Sequence, residues 1–285
     1  MKLSVTRSSS GGAAITACSD DGERLAVCSV WRNGAIGQFE AQDAFAAAKL
    51  LAAAEDLLRE WGCSKAIGPM DGDTWHRYRF VTRSNGRAPF LLEPQNPPEW
   101  PEYFVKAGWG VAARYTSSEI DLARPVNDFS KIAERLQVTI RKLKPEAYDS
   151  ELRRIYDISV VSFQNNFLYV PVSFEAFVAM YAKVEALVIP EFSLIAETPD
   201  GESAGFVFAL PDGANVIVKT LAVLPERRFA GLGSVLVEQV HQAARELGFK
   251  QAIHALQHQK NSSLRISSRH DAKVFREYTL YEKYL

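Results

Sequence analysis

The stretch 216–248, VIVKTLAVLPERRFAGLGSVLVEQVHQAARELG, leaves this chain few choices of fold. Val216, Ile217, Val218, Leu221, Ala222, Val223 and Leu224 form an apolar, β-branched run of strand length. Pro225 ends it, because proline offers a sheet no N–H. Leu232, Leu236, Val240, Ala243 and Leu247 then recur at helical spacing, with Gly248 at the C-cap position and Arg245 in the last turn. A strand apolar along its whole length must be covered, and the following helix supplies the cover. The expected class is therefore α/β (α+β).

The turn between them, Arg228-Phe229-Ala230-Gly231-Leu232-Gly233, reads R-x-x-G-x-G. Glycines at a helix start leave backbone N–H groups uncovered, and an anion placed there meets those donors and the positive helix pole. Spacing excludes two other glycine motifs. A dinucleotide fingerprint needs a third glycine where Leu236 stands, and no G-x-x-x-x-G-K-[ST] string occurs.

The chain repeats itself. Residues 59–67, REWGCSKAI, align without gaps on 245–253, RELGFKQAI, at an offset of 186. Both copies close an amphipathic helix and open a strand, so two halves of one architecture are expected, 1–123 and 136–285, joined by a linker over 123–135. At that offset Arg228, Gly231 and Gly233 fall on Gln42, Phe45 and Ala47. Side chains thus replace both glycines in the first half.

Val223-Leu224-Pro225-Glu226 followed by R-x-x-G-x-G at a helix start resembles motif A of the GCN5-related N-acetyltransferases (GNAT). The similarity runs over about 136–285, through the strand 251–256, Asn261 before the next helix and a Tyr-rich last strand. It implies an acetyl-CoA-dependent N-acetyltransferase, in a tandem arrangement whose first copy is degenerate. It also implies cofactor contacts from Leu221, Ala222 and Val223, from Arg228, Phe229, Ala230, Gly231, Leu232, Gly233 and Ser234 of the turn, and from Asn261. Family members place a Tyr seven residues after that Asn, where this chain has Ser268, and a carboxylate before the V-x-P-E, where it has Lys219 and Thr220. Ser268, His258 (with His254 beside it) and Tyr281 are left as candidate acid or base groups. The departure also opens another reading, a catalytically weak acyl-CoA-binding or sensor protein on the same scaffold. In the first half the long segment 68–98 carries Trp75, His76 and Tyr78. With Asn165 and Tyr169 of the second half, these are the candidate acceptor-binding residues.

Composition narrows the partners. Net charge is −1, which argues against a general nucleic-acid binder. From 219 to 285, however, eleven Lys+Arg stand against six Asp+Glu, a local excess that suits a small polyanion such as CoA. The expected acceptor is a small-molecule or peptide amine. Three cysteines without repeated spacing indicate neither a disulfide framework nor a metal site. No apolar run reaches membrane-spanning length and the first residues lack an apolar signal-peptide core, so a cytoplasmic, membrane-free protein is expected. The tip, 1–12, reads as loose and Ser/Gly-rich.

Overall fold

The computed structural model describes every residue except Ser10 and Val126. It divides into two compact units, Met1–Tyr115 with Arg276–Leu285, and Thr116–Phe275. The division differs from the expected boundaries in two ways. It falls inside a strand rather than at 123–135, and the last ten residues belong with the first unit.

In the first unit, strands β1 (Lys2–Arg7), β2 (Ala13–Cys18), β3 (Arg24–Val30) and β4 (Ile36–Ala41) form an antiparallel meander. The tip expected to be loose is mostly β1, paired over its whole length with β2. All its side chains are exposed, so apolar patterning gives no sign of it; the β2 edge supplies its backbone partners. Helix α1 (Ala44–Glu60) covers the meander, and its buried face of Leu50, Leu51, Ala54 and Leu58 completes a core with Ile15, Val30, Phe39 and Phe104. Next come β5 (Lys65–Gly68), β6 (Phe80–Ser84), α2 (Trp100–Lys106) and the first half of β7 (Gly110–Asp121). The end of β13 (Lys273–Tyr284) pairs antiparallel with both β5 and β6. The segment 68–98 is not one loop but folds around buried charge. Glu93 binds the Arg276 guanidinium at 3.1 Å, the Phe90 N–H at 3.1 Å and the Tyr278 hydroxyl.

In the second unit the sheet order is β7, β12 (Gln251–His258), β11 (Asn215–Val223), β10 (Ser203–Asp212), β9 (Ser193–Glu197) and β8 (Thr139–Lys142). Helices α4 (Tyr148–Phe163), α5 (Phe174–Tyr181), α6 (Leu232–Glu246) and α7 (Ser263–Arg269) surround it. The expected linker is partly structure: Ser130–Leu136 is a helix, α3, whereas Val126 lies outside the described residues. The core gathers Val207, Val216, Leu232, Leu236, Val240 and Ala252. Among the described residues no helix is long and apolar enough to cross a membrane.

The sequence repeat has a backbone counterpart. α1 and α6 both end in a Schellman closure. Gly62 at φ +78° and Gly248 at φ +85° follow the last helical turn. Cys63 N–H reaches back to Leu58 C=O, and Phe249 N–H to Ala244 C=O, each at 2.9 Å. Each closure then feeds a strand with a parallel neighbour, Ala35 bridging Ile67 in one half and Ile217 pairing Ile253 in the other. A Cβ on either glycine meets nothing within 4 Å. Gly62→Ala and Gly248→Ala should therefore each destabilise their own unit by about 1–2 kcal/mol, the cost of a left-handed L-residue. Urea unfolding of the two variants measures this, and unchanged midpoints would mean the closures carry no conformational demand.

Candidate functional site

The site begins where two strands part. β11 runs parallel to β12 through four pairs only, from Asn215↔Gln251 to Val218↔His254. Phe208 of β10 faces Thr220, but the next residue, Ala209, faces Val218, so Lys219 is an extra residue bulged out of β11. A bulge bends its strand and ends regular pairing. On β12, Leu256 takes φ +56° and its N–H goes to Ser117 Oγ at 3.0 Å. Beyond these points a cleft of about 560 Å³ opens, with 219–224 on one wall and 254–257 on the other. Leu221, Ala222 and Val223 keep their β10 partners but have none on β12 in the register. Apart from the Val223 C=O, to which Ser162 Oγ donates, their other backbone edge is available to an extended ligand.

At one end of the cleft stands the start of α6. Its N-cap is Gly231 at φ +96°, with no side chain capping the first turn. Ala230, Gly231, Gly233 and Ser234 line the cleft, so the uncapped N–H groups and the positive helix pole lie against it. A Cβ on Gly231 would stand 2.9 Å from Ile132 Cγ2 of α3, and one on Gly233 would stand 3.3 Å from Ile266 Cδ1 and Leu221 Cδ2. The first unit shows the contrast. The N-cap of α1 is Asp43, whose carboxylate accepts the Ala46 N–H at 2.8 Å. That helix end is occupied by its own negative charge.

Of the residues expected to hold a cofactor, Leu221, Ala222, Val223, Phe229, Ala230, Gly231, Gly233, Ser234 and Asn261 line the cleft. Leu232 does not; it is fully buried beneath α6. Arg228 does not either, because its guanidinium pairs with Glu226 at 2.7 Å and lies over the Phe229 ring. Asn261 also caps α7, accepting the Ser263 N–H at 2.9 Å. Sequence reasoning missed Arg265 and Arg269, four apart on α7, which both line the cleft; Arg269 donates to Ser234 Oγ at 3.0 Å. Their i,i+4 spacing on a helix following Asn261 is a signal that could have found them. It also missed Ser162 and Phe163 at the end of α4, and Ser162 Oγ donates to Val223 C=O at 3.1 Å.

Of the candidate acid and base groups, His258, Ser268 and Tyr281 do not line the cleft. The His258 ring stacks on Phe167. Ser268 Oγ turns back to Arg265 C=O at 2.9 Å. Tyr281 packs in the core of the first unit against Phe80 and Phe104. His254 does line the cleft, yet burial, with the nearby His270, pushes its pKa down to about 3, so it stays neutral and is too weak a base at neutral pH. No tyrosine stands among the described residues lining the cleft. Of the acceptor candidates in the second unit, Asn165 is exposed and Tyr169 half-buried; the cleft is lined instead by the neighbouring Asn166. In the first unit Trp75 is half-buried, and the Tyr78 ring stacks on the Arg79 guanidinium and meets Tyr115 edge-on.

The geometry separates the two glycines. Gly231→Ala adds a left-handed L-residue and a clash with α3, and should destabilise the second unit by more than about 2 kcal/mol. Gly233→Ala meets only the ends of flexible side chains and should cost less. Denaturant unfolding of both variants checks the order, and the reverse order would contradict the turn geometry.

Residues 153–265 match the family model of the acetyltransferase (GNAT) family. Likeness to solved structures extends over nearly the whole chain. A GCN5-related N-acetyltransferase from Sphaerobacter thermophilus superposes with a TM-score of 0.58 at 15% identity, over 95% of this chain and 80% of its own. A tandem GNAT protein from the clavulanic acid biosynthesis pathway gives 0.57 at 11% identity, over 96% and 82%. The GCN5-related glucosamine N-acetyltransferase region of a fungal multi-domain GH3 β-N-acetylglucosaminidase gives 0.59 at 17%, over 96% of this chain and 33% of that one. The shared property is the fold, two GNAT-like mixed-sheet halves in tandem. No curated protein sequence matches the chain.

Proposed function

We propose that this chain transfers an acyl group, acetyl in the simplest case, from acyl-CoA to an amine, using the cleft of its second unit, a reading supported by the match of residues 153–265 to the acetyltransferase (GNAT) family model. The observation that carries the reading is the bare glycine N-cap of α6 at the end of a cleft walled by an unpaired strand edge. The residues fit the group. The N–H groups of Gly231, Leu232 and Gly233 would hold a pyrophosphate, and Arg265 and Arg269 would add positive charge beside it. The backbone of 221–223 would pair with the extended arm and so orient it. Bound acyl-CoA would supply an acyl group activated as a thioester. The chain's own part is then to bind, orient and exclude wrong geometries, which can supply a large share of the barrier reduction. With no phenol along the cleft, proton exchange with the departing thiolate is left to water. Such a cleft could also bind without turning over, and the test below separates the two outcomes.

The first half is proposed to bind no cofactor. Asp43 fills the helix end with a carboxylate, and Phe45 and Ala47 stand where the second half has glycine. Calorimetric titration should give one CoA site per chain. Gly233→Val should weaken that site at least tenfold in a folded protein, because the backbone can no longer be approached closely. Two equivalent sites, or unchanged affinity, would sink the assignment. Turnover of acetyl-CoA with a panel of amines then distinguishes a transferase from a binder.

The acceptor is proposed to approach along the α4–α5 connection, where Asn166 lines the cleft. We place Asn165 and Tyr169 next to this path. Asn166→Ala should raise the KM of the amine several-fold and leave CoA affinity unchanged. A parallel loss of CoA affinity would move Asn166 to the cofactor side.

A further inference from the structure

Behind the cleft wall the second unit buries three histidines and a glutamate, with the Arg245 and Arg269 guanidinium groups near them. Glu238 and His241 lie one turn apart on α6, and His270 caps the end of α7. All three are more than nine-tenths buried, and one ligand atom of each lies within 4.8 Å of the others. Burying such groups is costly unless something satisfies their lone pairs.

The hydrogen bonds are consistent with one placement of the ring protons. Ser267 Oγ donates to Gln257 Oε1 at 2.8 Å, so it accepts from His254 Nδ1, also at 2.8 Å. His254 Nε2 is then an acceptor and takes the N–H of His241 Nε2 at 3.1 Å. The chain leaves His241 Nδ1 as a lone pair. His270 Nδ1 faces Glu238 Oε2 at 3.5 Å. The Asn127 amide N lies at 2.9 Å from His270 Nδ1 and 3.4 Å from Glu238 Oε2. His270 Nε2 is buried and has no partner.

We propose that Glu238, His241 and His270 form a binding site for one divalent transition metal ion of the zinc class. Two imidazoles and one carboxylate are a zinc donor set, and the 3.5 Å separation matches the edge of about 3.4 Å expected for tetrahedral bonds near 2.1 Å. Glu and His three apart on a helix present both donors to one side. The outer shell is in place, since the His241 ring N–H is held by His254. Asn127, with its amide turned about, brings Oδ1 to the position its nitrogen now holds, as a fourth oxygen donor. A second cavity of about 360 Å³, lined by Asn127, Phe129, Val235, Glu238 and Gln242, gives an ion access from the surface. The site does not depend on the acyl-transfer reading.

The test uses the full chain, stripped with chelator and dialysed. Elemental analysis after Zn²⁺ exposure and desalting should give one equivalent per chain. Co²⁺ should give the visible absorption of a low-coordinate nitrogen–oxygen site, which needs no variant. Glu238→Gln and His270→Gln should abolish retention of the metal, and His254→Ala should weaken binding by about 10–100-fold through loss of the outer-shell bond. His76→Ala, an exposed histidine of the first unit, should leave it unchanged. Failure of the stripped wild-type chain to retain Zn²⁺ or to develop the Co²⁺ spectrum overturns the proposal, as does equal retention by folded Glu238→Gln and His270→Gln. CoA titration of the stripped chain reads the cleft separately, so the two proposals fail independently.

Discussion

One extra residue in one strand organises the second unit. Lys219 bulges out of β11, so the strand stays paired to β10 but leaves β12 after four residues. Backbone groups left without a partner in a sheet are costly unless water or a ligand meets them. The cleft is where that cost is placed. Because α6 follows β11 after a short turn, its first N–H groups come to the same opening. Strand edge and helix pole are thus two consequences of one interruption of the ladder.

The two halves close their helices alike and open them differently. Both end in a glycine-closed Schellman turn. At the start, α6 has Gly231 and α1 has Asp43. Both are good N-caps in isolation. Aspartate satisfies the N–H groups internally and repels an anion, whereas glycine leaves them to an outside acceptor. The connection differs in length too: Ala35 and Ile67 bridge across 32 residues, Ile217 and Ile253 across 36. At its helix start the first half meets a backbone N–H with its own carboxylate, where the second half has a bare glycine.

Local patterns were legible in the chain: the α1 and α6 stripes, their caps, the repeated closure and the glycine turn, with most of the cleft residues those imply. Features set by distant partners were not. β1 has no buried face, so only the β2 edge explains it. The Lys219 bulge needs the β10 register. The membership of the last ten residues in the first unit depends on pairing with β5 and β6, more than 190 positions away. Tyr281 illustrates the consequence. A phenol on a C-terminal strand suits catalysis in a chain read locally, but its partners turn out to be Phe80 and Phe104 of the first core.

The buried histidines show the same limit at a site. His241, His254 and His270 come from a helix, a strand and a helix end, and no short spacing links them. Only packing assembles them, and once assembled they are not independent of the cleft. His254 stands in the cleft wall with one nitrogen bonded to Ser267 and the other to His241. Next to His270 in the chain, Arg269 holds Ser234 in the first turn of α6. The side chains that set the shape of the cleft therefore lean on the polar cluster behind it. Any change that moves α7 against α6 moves Arg269 and the His254–Ser267 pair together, so order in the core and order in the cleft are one property of the second unit.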